Sequence, residues 1–247
     1  MAILYTKKVS PTSTSATTAQ ASYTTDNLSI QSVKQNYRAS NNAATDIFLN
    51  FSAAKAVTGL LLQDVNFTTA TIYQTTDGTT YTLVGTMTAY QDKKIPDRRR
   101  GIIPLAATVK GIKISIAAAT PADGLVYWRI GTAYVFTGSI AFPSQPTYGA
   151  HVKSRRPLVT NEPSNGNRAV ASAGAQFNEI ALPFIPQATE NFQTIISALQ
   201  NTVCGLDMQL NGMQEMVWPV SQKEAEIDES FDDFNRTKIQ LNLMEAV

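Results

Sequence analysis

Between residues 28 and 136 the chain is cut into short β-favouring runs separated by turn residues, and this spacing constrains the fold more than any other feature. The runs at 28–33, 46–51, 57–63, 69–75, 81–86, 101–105, 111–116 and 126–136 are each rich in Val, Ile, Thr, Tyr or Phe, side chains that fit a pleated, half-buried surface. Strands of this length at this spacing predict an antiparallel sandwich. In Lys110-Gly-Ile-Lys-Ile-Ser-Ile116 the isoleucines 112, 114 and 116 fall on one face and Lys113 and Ser115 on the other, so this strand has one wet side. Asp77-Gly78 lies between two alternating runs, and an Asp-Gly pair tolerates the positive φ angles of a tight turn. Residues 70–86 are therefore expected to form a hairpin whose register turns Ile72 and Leu83 inward.

A chain of 247 residues holds one large or two modest domains. With 43% hydrophobic and 16% charged residues and a formal charge of +1, it is neither a disordered chain nor a nucleic-acid-coating protein. The single cysteine, Cys204, excludes an intrachain disulfide framework, and one cysteine with one histidine, His151, cannot build a common zinc site. No Gly-x-Ser-x-Gly elbow and no phosphate-cradling Gly-rich loop is present. His151, in a Gly- and Pro-rich stretch, is expected at a surface or interface, and Cys204, among apolar residues, as a buried inert thiol. The carboxylates of 224–233 lack the alternating ligands and central glycine of a calcium loop. The expectation is a protein without catalytic residues, metal or cofactor. No run approaches the roughly 18 to 20 apolar residues of a membrane helix, and Met1-Ala-Ile-Leu-Tyr-Thr-Lys-Lys8 places apolar residues before charges, the reverse of a secretory signal. Cytoplasmic synthesis and no membrane insertion are expected.

Four segments follow from composition. Residues 1–27, with the polar run SPTSTSATTAQASYTT at 10–25, predict an irregular N-terminal arm. Residues 28–137 form the sandwich. Residues 138–168, punctuated by Pro143, Pro146, Gly149, Pro157, Pro163 and Gly166, predict a linker or long loop. Residues 169–247 begin with a strand at 176–182, ended by Pro183. A helix follows: Thr189 as cap, Glu190 at its positive end, and Phe192, Ile195, Ile196, Leu199 and Val203 as one apolar stripe, with Gly205 as its stop. The stripe is expected to lie on a sheet of strands 206–210, 214–220, 231–234 and 237–244.

Charge is uneven along the chain. Residues 207–247 carry nine acidic and three basic side chains, net −6, which leaves +7 on residues 1–206. Basic groups concentrate at Lys93, Lys94, Arg98, Arg99 and Arg100, and again at Lys153, Arg155, Arg156 and Arg168. No aromatic or helical readout element accompanies them, so nucleic acid is not the expected partner. Opposite patches on one chain suit head-to-tail contacts that close into rings. Lys93, Lys94, Arg98, Arg99, Arg100, Arg155 and Arg156 are thus candidate inter-subunit contacts to acidic residues such as Asp232 and Asp233; the rival reading is that both patches are simply solvated.

The run from Leu60 to Gly85, with its Thr-Thr-Asp-Gly-Thr-Thr-Tyr81 hairpin, resembles the discoidin-type, galactose-binding-like jelly roll. There a hairpin of the form S-x-D-G-x-x-Y/W sends its aromatic, here Tyr81, into the sandwich, and Thr76 departs from the usual Ser. Tyr127-Trp-Arg-Ile-Gly-Thr-Ala-Tyr134 resembles the closing strand of such domains, and the resemblance spans residues 28–137. Jelly rolls of this kind host sugar-binding, lipid-binding and purely structural modules. Tyr37, Tyr73 and Tyr90 are candidate sugar-stacking rings, each equally explained as cross-strand packing. The order of elements in 169–247 resembles the sheet-plus-helix domains of bacteriophage tail and tail-tip proteins. Together these resemblances imply a mainly β chain, a jelly-roll sandwich followed by a smaller α+β assembly domain of the tail-tube or distal-tail type. They imply a non-enzymatic virion protein of a tail tip or baseplate, a homo-oligomeric ring of three-fold or six-fold symmetry contacting other phage tail proteins. The alternative is an adhesion module that binds host-surface glycans; a more distant one is an accessory domain of a cell-envelope hydrolase.

Overall fold

The computed structural model describes residues 2–30, 36–92, 98–144, 146, 151–155, 158–161, 169–172, 177–184, 190–200, 202–208, 217–222, 230–233, 236–238 and 240–246. The first half contains β1 (Ala2–Val9), β2 (Ser13–Ala16), β3 (Tyr37–Arg38), β4 (Thr45–Val65), β5 (Thr69–Thr75), β6 (Thr82–Thr88), β7 (Tyr90–Gln91), β8 (Arg99–Ile116), β9 (Arg129–Ile130) and β10 (Thr132–Ala141). The second contains β11 (His151–Arg155), β12 (Leu158–Asn161), β13 (Ala169–Ser172), β14 (Phe177–Pro183), helix α1 (Glu190–Leu199), β15 (Cys204–Met208), β16 (Val217–Gln222), β17 (Ser230–Asp233), β18 (Arg236–Lys238) and β19 (Gln240–Glu245). The fold is mainly β, as expected.

Two strands organise the sandwich. The expected pairs 46–51 with 57–63, and 101–105 with 111–116, are each fused into one strand, β4 and β8, of 21 and 18 residues. Their mutual register shifts between Asn50 and Lys55 and again between Val57 and Gly59, where Ser52, Ala53 and Ala54 are exposed. Bulges bend a strand, so β4 and β8 serve both leaves: their outer halves pair with β2 and β5, their inner halves with β10 and β7. Between the leaves lie Ile47, Leu49, Leu60, Leu62, Ile72, Ile112, Ile114, Tyr37 and Trp128, all buried in one cluster. The alternation of 112–116 holds as read from sequence.

The hairpin departs from expectation at its register. A bulge between Ile72 and Tyr73 sets Tyr73 opposite Leu83, so Ile72 is buried while Leu83 is 65% exposed. The turn is longer than two residues. Asp77 accepts hydrogen bonds from the backbone N–H of Thr79 and Thr80 and from the Thr75 hydroxyl, and Gly78 takes φ +91. Those backbone donors, Thr79 first and then Thr80, hold the Asp77 carboxyl well below the usual carboxylate range. Tyr81 lies half-buried, edge-on to Phe48 and below Lys113, outside the core cluster. The run expected as a strand at 28–33 instead begins with a 3-10 turn, Thr25–Ser29, which buries Leu28; residues 31–33 lie outside the described residues.

The arm and the linker are both strands. β1 pairs with β10 on one side and β15 on the other, and β2 pairs with β4. Composition hid them because β1 carries Lys7-Lys8 near its end, beside the polar run, and β2 reads Ser-Thr-Ser-Ala. Within 138–168, prolines 143, 146, 157 and 163 fall between β10, β11, β12 and β13; they punctuate strands without dissolving them. His151 accordingly stands on β11 opposite Ala181, not in a loop.

The second unit runs β11-β14-β19-β16-β15 and continues through β1 into the sandwich, giving one 13-stranded sheet. Helix α1 places Phe192, Ile195, Ile196 and Leu199 in one cluster with Leu4, Leu206, Val220 and Leu243, as their spacing predicts, but it ends at Leu199, and Val203, the last residue of the expected stripe, lies beyond it and packs with Tyr5, Leu61, Tyr134 and Phe136; Thr189 lies outside the described residues. Gly205 does not stop the helix. It lies in β15, where a Cβ would sit 2.8 Å from Phe136 Cε2, and at Gly59 a Cβ would sit 2.6 Å from Tyr5 Cδ1. These glycines let Tyr5 and Phe136 lie flat on the sheet.

Gly205→Ala is expected to lower stability by about 1–3 kcal/mol through overpacking, measured by urea denaturation. Asp77 contributes stability above the unfolded carboxylate range that is lost only as pH falls through its depressed value; amide exchange at Thr79 and Thr80 should therefore stay slow at mildly acidic pH and quicken in Asp77→Ala at any pH.

Candidate functional site

Several buried charged and polar residues meet where the sandwich joins the second unit. Arg100, on β8, forms ion pairs with Asp92 and with Glu245, the latter at 3.0 Å. Arg98 Nη1 lies 3.9 Å from the same Glu245 oxygen. Asn178, on β14, donates from Nδ2 to Asp92 at 2.7 Å and to Glu245 at 3.0 Å. Its backbone N–H also reaches Glu245, at 3.0 Å. Gln63, on β4, donates to Glu245 Oε1 and to the Ala246 carbonyl, and Tyr134 donates to Gln63. Two arginines thus face two carboxylates in a buried, formally neutral knot.

This corrects the expected inter-subunit role of Arg98 and Arg100. Basic and acidic segments do meet, but within one chain: both arginines are buried. Arg99 is half-buried and donates to the Ala89 carbonyl. Arg155 stands on β11 opposite Phe177, Asp233 on β17 opposite Arg236, and Asp232 on β17 as well. Lys93, Lys94 and Arg156 lie outside the described residues.

Cys204 is buried, its Sγ donating to the Ala198 carbonyl, and burial pushes its thiol up. Among the described residues no group of three or more His, Cys, Asp or Glu is placed to hold a metal, and no helix is long and apolar enough to cross a membrane.

Directly after Gln63, at the end of β4, a second polar cluster begins. Asn66, buried after β4, donates from Nδ2 to the Tyr127 carbonyl at 2.9 Å and to Asp123 at 3.1 Å, while its Oδ1 accepts from Arg129 N–H at 2.7 Å. One side chain so fastens the loop that precedes β9. Arg129 reaches Asp64 at 3.3 Å and Asp123 at 3.7 Å. On the neighbouring strand β3, Arg38 is bracketed by its backbone: its N–H donates to the Tyr23 carbonyl and its carbonyl accepts from Gln20. Its guanidinium carbon lies 3.8 Å from the Tyr23 ring centroid and 5.3 Å from that of Tyr127. Nε donates to Asn36 Oδ1 at 2.9 Å. Beside Tyr127, Val126 is 73% exposed.

Of the rings singled out from sequence, Tyr37 is fully buried with its hydroxyl bonded to the Thr18 carbonyl, and burial pushes its phenol up to about 12. Tyr90 is half-buried on β7, and Tyr73 lies under Lys113 Nζ at 4.2 Å. Tyr23, Arg38 and Tyr127 were missed. Tyr23 falls in the polar arm and Tyr127 inside an expected strand, and no spacing in the sequence ties residues 23, 38 and 127 together.

The chain matches no family model and no curated protein. Solved structures similar to it cover about half of its length. Chitosan-binding module 1 of a chitosanase/glucanase from Paenibacillus sp. IK-5 is 18% identical over 51% of this chain and 96% of its own, with a TM-score of 0.42. The CBM32-3 module of a family 31 glycoside hydrolase from Clostridium perfringens is 10% identical over 52% and 94%, with a TM-score of 0.44. Reduced XRCC1, bound to the DNA polymerase β catalytic domain, is 8% identical over 54% and 99%, with a TM-score of 0.42. At this distance none of them carries a ligand over to this chain.

Glu245→Ala leaves Arg100 and Arg98 buried against an empty place, and a loss of about 3–5 kcal/mol is expected from urea denaturation. Glu245→Gln, which keeps hydrogen-bonding atoms in position, should cost less.

Proposed function

We propose that this chain is a non-catalytic glycan-binding protein whose ligand seats at the sandwich end lined by Tyr23, Arg38 and Tyr127. The observation that carries this reading is the Arg38 guanidinium beside two tyrosine rings, Tyr23 and Tyr127, on a loop framework that Asn66 and the backbone bonds of Arg38 fix in advance. Sugars offer an apolar C–H face and a hydroxyl edge. Aromatic rings with an exposed Val126 provide the complement of the first, and Arg38 provides donors for the second. Groups held on rigid elements lose little freedom on binding, which favours affinity.

A second reading rests on a different observation. β12–β13 and β17–β18 are two-stranded ribbons, each paired only with itself among the described residues. Such ribbons are marginal in water without a third strand or a packing partner. A neighbouring copy supplies that support if the chain is a structural component of a virion, a ring in a phage tail tip or baseplate that holds other tail proteins. The two readings are compatible, with the sandwich binding and the second unit assembling.

A glycan array followed by calorimetry tests the first reading: saturable binding that Tyr127→Ala weakens by about tenfold or more is expected, and no binding to any glycan sinks it. Light scattering at two salt concentrations tests the second, where a closed ring is expected and a monomer at every concentration counts against it.

A further inference from the structure

We infer that the ligand is anionic, a glycan whose carboxylate seats on Arg38; this rests on the glycan reading above. Arg38 and Arg129 stand directly opposite each other on β3 and β9, and like charges in that relation repel. The two are treated differently by their surroundings. Arg129 has two carboxylates, Asp64 and Asp123. Arg38 has none within ion-pair distance among the described residues, and only its Nε has a side-chain acceptor, Asn36. The tyrosine rings attract the cation without neutralising it. Its terminal nitrogens thus form a planar fork, placed by contacts to the Tyr23 and Tyr127 rings and by a hydrogen bond at its base. A guanidinium fork matches the two oxygens of a carboxylate in a bidentate pair. The negative charges nearby, Asp64 and Asp123, are engaged with Arg129 and, for Asp123, also with Asn66 and the Leu125 N–H.

Calorimetry with four probes tests the inference: oligogalacturonate, its methyl ester, a sulfated oligosaccharide and the sugar-free dicarboxylate glutarate. Oligogalacturonate is expected to bind about tenfold or more tightly than its neutral ester, the scale of a charge-assisted hydrogen bond. The preference should weaken with salt and vanish in Arg38→Met. Arg38→Lys, which keeps the charge and loses the fork, should retain only part of it, and thermal melts of both variants check that the loop framework persists. Equal binding of acid and ester, or a preference that survives Arg38→Met in a folded protein, overturns the inference and leaves the glycan reading intact. Preference for the sulfated sugar over the uronate overturns the carboxylate assignment. Glutarate binding as tightly as oligogalacturonate, and depending on Arg38, keeps the anion site and sinks the glycan reading. Binding of no probe overturns the inference, and the array alone then decides the glycan reading.

Discussion

A β-strand has two edges, and in this chain both edges of β1 are taken: one by β10 of the sandwich, the other by β15 of the second unit. That double pairing makes one sheet of what composition divides in two. The first strand in sequence cannot complete its hydrogen bonds until residues beyond 200 arrive, so the sandwich is in effect inserted into the sheet-plus-helix unit. Leu4 faces the helix cluster while Tyr5 joins Leu61, Tyr134 and Phe136 in a cluster of its own, and glycines at 59 and 205 make room for those rings.

The buried knot around Glu245 works at the same seam. Taking two arginines and two carboxylates out of water is costly, and their mutual attraction offsets this only where geometry is good and remaining polar atoms find partners. Gln63, Asn178 and the backbone N–H of Asn178 supply such partners to the Glu245 carboxylate, while Arg98 Nη1 and Asn178 Oδ1 are buried without a hydrogen bond. A slipped β19 would move Glu245 away from Arg100 and leave buried charges unmatched. The residues that follow Gln63, Asp64 at the end of β4 and Asn66 just after it, hold Arg129 and with it the surface around Arg38.

Much of the fold was legible because it rests on local period. Ile112, Ile114 and Ile116 declared a one-sided strand, Phe192 to Leu199 a helix stripe, and both hold. Errors came where the outcome depends on a partner far along the chain. Arg98, Arg99 and Arg100 read as one exposed basic run, whereas strand alternation buries the first and third against Glu245 and leaves Arg99 half-buried. Leu83 was expected inside, and a single bulge at Ile72/Tyr73 turned it out. Gly205 read as a helix stop because glycine ends helices often, and its actual constraint, a ring from residue 136, has no local trace.

By itself the sequence determined the kinds of elements: β-rich, one short amphipathic helix, no disulfide framework and no common zinc site, because alternation, 3.6-residue periodicity and residue counts are local facts. Only the tertiary structure decided which strands join, that β1 belongs to both units, that Arg100 pairs inward, and that Tyr23, Arg38 and Tyr127 converge. Gln63 and Glu245 are 182 residues apart. Contacts of that separation arise from the packing of whole leaves, and no pattern within a window of sequence encodes them.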